Sequence, residues 1–176
     1  MNRSLRSLTF AIVALAVAGA AGTAAAEQSP SSLAFEHLAS LVGEWQGVEA
    51  GTEIQLTYAL TADGSALMEE FRPKNGPMMV TMFSVDGDHL IATHYCSARN
   101  QPQMATAAIT EPQAKSLAFS LIRVTGLKSP DDWHNTGLVV TLDDSDHFTQ
   151  EWTYRQKSAT GKNVFHFTRA RQGTSG

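Results

Sequence analysis

Residues 93–97 read Thr-His-Tyr-Cys-Ser and place the chain's one cysteine, Cys96, two positions after His94. A nucleophilic cysteine needs a base within hydrogen-bond reach and usually a third group to orient that base. Positions i and i+2 of a strand share a face, so the pair can approach this geometry, although parallel neighbours seldom align well. The competing reading is a small buried thiol beside a hydrogen-bonded histidine. A metal centre would need further ligands converging on the pair. His37, His89, His134, His147 and His166 show no recognisable ligand spacing, so no metal is expected.

Charge on an otherwise apolar face is the second chemical signal. Glu69 lies between Leu67 and Phe71, and Arg123 continues the face of Phe119 and Leu121. A charge taken out of water must be paired or must meet a ligand. Glu69, His94, Cys96, Arg123 and Trp152, with Gln150 beside them, are therefore the candidate ligand-binding residues, a polar cluster able to hold a head group. The alternative is that Glu69 and Arg123 lie at strand ends and reach solvent. Met68, Met78, Met79, Met82 and Met104 cluster in the same region and suit an adaptable apolar pocket or simple core filling. Trp133 and His134, in a polar connection after Ser129-Pro130, are placed to flank a mouth.

These residues must be held by something, and the pattern of the chain says what. Leu33, Phe35, His37, Leu38, Leu41 and Val42 recur near helical spacing until Gly43 stops them. Beyond Gly43 the period is two. Strands are expected at 44–50, 53–60, 65–73, 78–85, 88–97, 104–110, 115–125, 136–143, 147–157 and 163–171. The separators carry turn chemistry, among them Asp63-Gly64, Asn75-Gly76-Pro77, Asp86-Gly87, Asn100-Gln101-Pro102 and Gly161. An open sheet of about ten strands would leave two long edges, and closure removes them. The expected fold is an all-β antiparallel up-and-down barrel of about ten strands, with one N-terminal helix closing an end.

A hairpin about Asp86-Gly87 would set His94 opposite Met79 and Ala92 opposite Thr81. Leu90, Ala92, His94 and Cys96 then share one face, and Ile91, Thr93, Tyr95 and Ser97 the other. Alternation does not decide which face lines the lumen. We assign His94 and Cys96 inward, because Tyr95 can lie outside with its hydroxyl wet. On the later strands Phe148, Trp152 and Tyr154 share a face, as do Phe165 and Phe167.

The first 26 residues combine Arg3 and Arg6 with an apolar stretch from Leu8 to about Ala21 and end in Ala24-Ala25-Ala26. This order is expected of a signal peptide cleaved before Glu27, the rival reading being a membrane anchor, which the alanine- and glycine-rich stretch and the small-residue cleavage site disfavour; residues 27–176 would then be a single exported domain, secreted or periplasmic. Losing Arg3 and Arg6 from 13 basic residues leaves 11 against 17 acidic ones, a formal charge of −6. That balance argues against nucleic acid and anionic membrane surfaces as partners, and no membrane insertion is expected after cleavage. One cysteine allows no internal disulfide.

A helix, then Gly43-Glu44-Trp45 opening the first strand, then antiparallel strands ending in an arginine, resembles the calycin superfamily, which includes the lipocalins and fatty-acid-binding proteins. The resemblance implies that Gly43, Trp45 and Arg169, with Arg171 as fallback, meet at the closed end, the guanidinium stacked on the indole and donating to loop carbonyls. More narrowly, Asp86-Gly87-Asp88-His89-Leu90, Thr93-His94-Tyr95-Cys96, Asn100-Gln101-Pro102, the run from Asp146-His147-Phe148 to Trp152, and Gly161-Lys162 resemble bacterial exported lipocalin-like proteins, a group that implies a fold and no agreed activity. Some ten-stranded calycin-like barrels bind haem through a histidine near the C-terminus, where His166 stands here. His166 alternates with Phe165 and Phe167, however, and points outward unless a bulge intervenes, so no cofactor is expected.

The reading that follows is an exported β-barrel binding a small apolar or amphipathic molecule in its lumen. A second reading is an enzyme using the His94, Cys96 and Glu69 region for isomerase or acid–base chemistry. A third is a packed barrel acting through its outer surface.

Overall fold

The structure is a computed structural model and describes residues 27–171; the leader assigned to residues 1–26 lies outside them. Helix α1 (Pro30–Ala39) starts where the Ser29 hydroxyl accepts from the Ser32 N–H at 3.1 Å and proline occupies the first turn. It buries Ala34, Phe35 and Leu38. The helix stops earlier than its apolar spacing suggests. Ser40, Leu41 and Val42 bond instead to carbonyls three residues back, a tightened exit that aims Gly43 into the first strand.

Ten strands follow: β1 (Gly43–Glu49), β2 (Thr52–Thr61), β3 (Ala66–Pro73), β4 (Met79–Asp86), β5 (His89–Tyr95), β6 (Gln101–Ala105), β7 (Ser116–Thr125), β8 (His134–Leu142), β9 (His147–Gln156) and β10 (Ala159–Arg169). Each pairs antiparallel with its neighbours in sequence, and β1 pairs with β10, so the sheet closes into the expected up-and-down barrel.

Three details depart from the sequence reading. The β4–β5 turn is Gly87-Asp88, with Asp86 paired to His89; Thr81 rather than Met79 therefore faces His94, and Phe83 faces Ala92. Gly87, at φ 59, takes the first turn position, where this two-residue loop needs glycine. The slip is two residues, so every side chain keeps its face but changes its neighbour. Strand β6 begins at Gln101 rather than 104, because Cys96–Asn100 closes tightly through Arg99 N–H to Cys96 O at 2.9 Å and Cys96 N–H to Asn100 O at 3.1 Å. Gly161 is not a turn but lies within β10, where the Tyr154 ring fills the space a Cβ would need; the chain turns at Lys157-Ser158 instead.

One end of the barrel is shut by α1 and by the Trp45–Arg169 contact. The guanidinium carbon sits 4.1 Å from the indole centroid, and Arg169 donates to the carbonyls of Val42, Ser40 and Ser145. The indole N–H donates to Leu41 O at 2.7 Å. At Gly43 a Cβ would press on the Arg169 guanidinium, which is why glycine stands there. Above this plug the lumen is packed solid with Tyr58, Phe83, Phe119, Phe148 and Phe167, in edge-on, tilted and stacked contacts 4.9–6.3 Å between centroids.

Candidate functional site

Followed from the shut end upward, the inner face of each strand changes character. On β3 the order is Leu67, Glu69, Phe71; on β4 Phe83, Thr81, Met79; on β5 Ala92, His94 and then Cys96 just past its end; on β9 Phe148, Gln150, Trp152. A layer of polar side chains thus crosses the barrel at mid-height because antiparallel pairing brings Tyr58 to Glu69, Glu69 to Thr81 and Thr81 to His94.

This layer is hydrogen-bonded throughout. The Tyr58 hydroxyl donates to Glu69 Oε2 at 2.5 Å, and Gln150 Nε2 donates to the same oxygen at 2.5 Å and to the Tyr58 oxygen at 2.8 Å. Trp152 Nε1 donates to Gln150 Oε1 at 2.9 Å. Thr81 Oγ1 lies 3.1 Å from Glu69 Oε1 and 3.0 Å from His94 Nδ1. The His94 ring packs on Trp152 with centroids 4.7 Å apart.

No cation balances Glu69 among the described residues. Burial raises its pKa above the ordinary 4.5, against the pull of the donors Tyr58, Gln150 and Thr81. Burial likewise lowers His94 from 6.5 to about 4, so the imidazole is neutral near neutrality. Burial, then the Glu69 charge, pushes Tyr58 well above 10 and keeps its phenol a donor.

Above the layer the barrel is hollow. A cavity of about 260 Å³ opens toward the β1–β2 turn and the Cys96–Asn100 loop, with Ile54, Phe71, Met79, Trp152 and Phe165 as walls and Glu69 and His94 below. Asn135, Asn163 and Cys96 also line it, and Glu49, Ser97 and Trp133 stand at its mouth. Within the described residues no hydrogen bond engages the carboxamides of Asn135 and Asn163 or the Nε2 of His94.

Of the candidate ligand-binding residues, Glu69, His94, Cys96 and Trp152 meet at this cavity, and Tyr95 lies outside, 51% exposed. Arg123 does not join them. Between Gln103↔Arg123 and Met104↔Leu121 strand β7 carries an extra residue, Ile122, and this bulge turns both Ile122 and Arg123 outward. Arg123 donates to Gln103 Oε1 on the barrel surface. A matching irregularity between Asn135 and Gly137 in β8 has the opposite result, since it brings Asn135 to the lumen although Leu138 and Val140 set the inward parity.

Cys96 and His94 are not hydrogen-bonded to each other; the Cys96 thiol accepts from the Ala98 N–H at 3.4 Å. Of the methionines, Met79 and Met104 point inward, whereas Met68 and Met82 pair across the outer face. His166 is on the outer face beside Thr149. Tyr58, Thr81, Asn135 and Asn163 were not singled out by the sequence reading. Tyr58 was legible in principle, since it follows Ile54 and Leu56 at period two.

Among the described residues no group of three His, Cys, Asp or Glu side chains converges to hold a metal ion, and no helix is long and apolar enough to cross a membrane. Fold and site together define a closed ten-stranded antiparallel barrel with an N-terminal helix, a half-filled lumen and a buried polar layer, an architecture compatible with a calycin-like fold. No protein-family model matches the chain, and no curated protein matches it either.

Proposed function

We propose that this chain is an exported, lipocalin-like binding protein that holds one compact, partly apolar molecule in the upper half of its barrel. The observation that carries this reading is the cavity itself: apolar walls above a floor where His94 Nε2 is free for a ligand, with Asn135 and Asn163 beside it. Its volume, about 260 Å³, falls just under the ~300 Å³ typical of the smallest sites for drug-sized ligands, so the occupant is small. Its lining includes Glu49 and Glu69 but no lysine or arginine, which favours a neutral or cationic ligand over an anion. Export follows from the leader reading of residues 1–26 and places the ligand outside the cytoplasm.

Titration with phenethyl alcohol, phenethylamine and hydrocinnamate, followed through the fluorescence of Trp133 and Trp152, tests the charge preference; the first two bind and the carboxylate does not. On this reading, native mass spectrometry of protein taken from its own cell envelope should show a co-purified small molecule. Tight hydrocinnamate binding would reverse the charge argument, and an empty barrel that takes none of the three probes would end the binding reading.

An enzyme using His94 as general base is the second reading, favoured by the unpaired Nε2. A base held at about 4 is weak near neutrality, where an effective one sits close to the working pH, and binding is therefore preferred.

A further inference from the structure

The hydrogen bonds of the buried layer can be given a direction, because an indole N–H only donates. Trp152 Nε1 donates to Gln150 Oε1, which turns the Gln150 NH₂ toward Tyr58 and Glu69. The Tyr58 oxygen, already accepting from Gln150, gives its single proton to Glu69 Oε2. Two donors now face Oε2, so any proton on this carboxyl must sit on Oε1. There the neighbour is Thr81 Oγ1, whose other partner is His94 Nδ1. A hydroxyl has one proton and cannot donate to both.

Two arrangements satisfy every group. With Glu69 ionised, Thr81 donates to Oε1 and accepts from Nδ1–H, which leaves Nε2 with a bare lone pair. With Glu69 protonated, Oε1–H donates to Thr81, Thr81 donates to a bare Nδ1, and the ring proton sits on Nε2. The states differ by one proton: one arrives at Nε2 from the lumen, Nδ1 passes its own to Thr81, and Thr81 passes its own to Oε1.

We infer that Glu69, acting through Thr81, sets the tautomer of His94 and thereby decides whether the floor of the cavity accepts a hydrogen bond from its ligand or donates one. Ionised Glu69 selects a ligand that can donate, from a hydroxyl or amine N–H, and rejects one that only accepts; protonated Glu69 admits a carbonyl or similar acceptor. Glu69 and Thr81 are positioning residues, and His94 is the contact. The inference rests on the lumen being a ligand site.

The surroundings leave this coupling little competition. The other titratable groups facing the network are Tyr58 from β2, Cys96 after β5 and Glu49 at the rim; β4, β8, β9 and β10 contribute Met79, Asn135, Gln150, Trp152, Asn163 and Phe165, all uncharged. Burial keeps the His94 ring neutral while Glu69 titrates, so its tautomer is the variable.

The test reads the ligand-free full chain by ¹⁵N imidazole and ¹³C carboxyl NMR across pH. His94 carries its proton on Nδ1 wherever Glu69 is ionised and on Nε2 wherever it is protonated. In Glu69→Gln the carboxamide NH₂ must donate to Thr81, so the neutral His94 ring stays Nε2–H at every pH above its own titration near 4. In Thr81→Val the tautomer no longer follows residue 69. An Nδ1–H ring in Glu69→Gln, or an Nε2–H ring beside ionised Glu69, would overturn the inference. Measured at a pH where the wild-type ring is Nδ1–H, Glu69→Gln also shifts the preference for acetophenone over phenethyl alcohol by about tenfold, the worth of one hydrogen bond. Unchanged preference with the expected tautomers would overturn the specificity claim. Failure of both probes to bind, with those same tautomers, would instead remove the ligand reading on which that claim rests.

Discussion

The lower and upper halves of the barrel are built on the same ten strands, yet they use the inner face differently. Below the polar layer, Trp45, Phe83, Phe148 and Phe167 are each at most 1% exposed and interlock ring to ring, with the ring of Tyr58 reaching down among them from the layer. Above it, Phe71 and Phe165 meet edge to face at 5.2 Å but leave one side open to the cavity. The lower rings gain dispersion contacts on every side, whereas the upper ones forgo some of them where they border the cavity. The lower half therefore carries the stability and the upper half is free to serve a ligand.

Substitutions can break this division, starting where the effect is largest. Trp45→Ala empties the closed end and strips Arg169 of its stacking partner; it costs about 3–5 kcal/mol, read by urea or guanidinium unfolding. The polar layer gives the next effect and a pH signature. His94 has a folded pKa of about 4, below the ordinary 6.5, so its contribution to stability is intact above pH 6.5 and lost as pH falls through about 4. Relative to His94→Gln, the wild type should lose about 3 kcal/mol between pH 7 and pH 4. Glu69 has the opposite sign: its pKa is raised, so its contribution is present below 4.5 and lost as pH rises through its folded value. Unfolding of Glu69→Gln followed against pH should accordingly show a gain relative to wild type on the alkaline side.

Phe165→Ala sharpens the contrast from the other half. Its ring is already open to the cavity, so unfolding should report a loss of only about 1–2 kcal/mol, while probe affinity falls more steeply. Arg123→Ala is the smallest, within about 0.5 kcal/mol and with no change in probe binding, because the residue lies outside on a surface strand. A large effect of Arg123→Ala on binding would show that the outer face takes part in the site.

Much of the site was legible because alternation is a local property. Glu69 between Leu67 and Phe71 had to face inward with them, and Trp152 had to follow Phe148. Arg123 was misplaced and Asn135 overlooked for one shared reason: an extra residue in β7 and another in β8 reverse the parity beyond them; the β7 bulge has no glycine to announce it, and Gly137 is the one local sign of the β8 bulge. The β4–β5 hairpin illustrates a subtler limit. A two-residue slip left His94 facing the lumen but exchanged its neighbour from Met79 to Thr81, and the hydroxyl that links it to Glu69 came with that exchange.

The period-two pattern after Gly43, with turn residues between runs, determined the antiparallel strands and the face of most side chains, since each depends on direction along a single segment; closure was argued from the cost of open edges, and the Gly43, Trp45 and Arg169 plug came from the calycin resemblance. Only the tertiary structure decided which inward residues meet. Gln150 donates to Tyr58 across 92 positions, and the Tyr58–Glu69–Thr81–His94 chain exists only in one register of four strands. Alternation tells a side chain which way to face; register and bulges, fixed by packing of the whole barrel, tell it whom to touch.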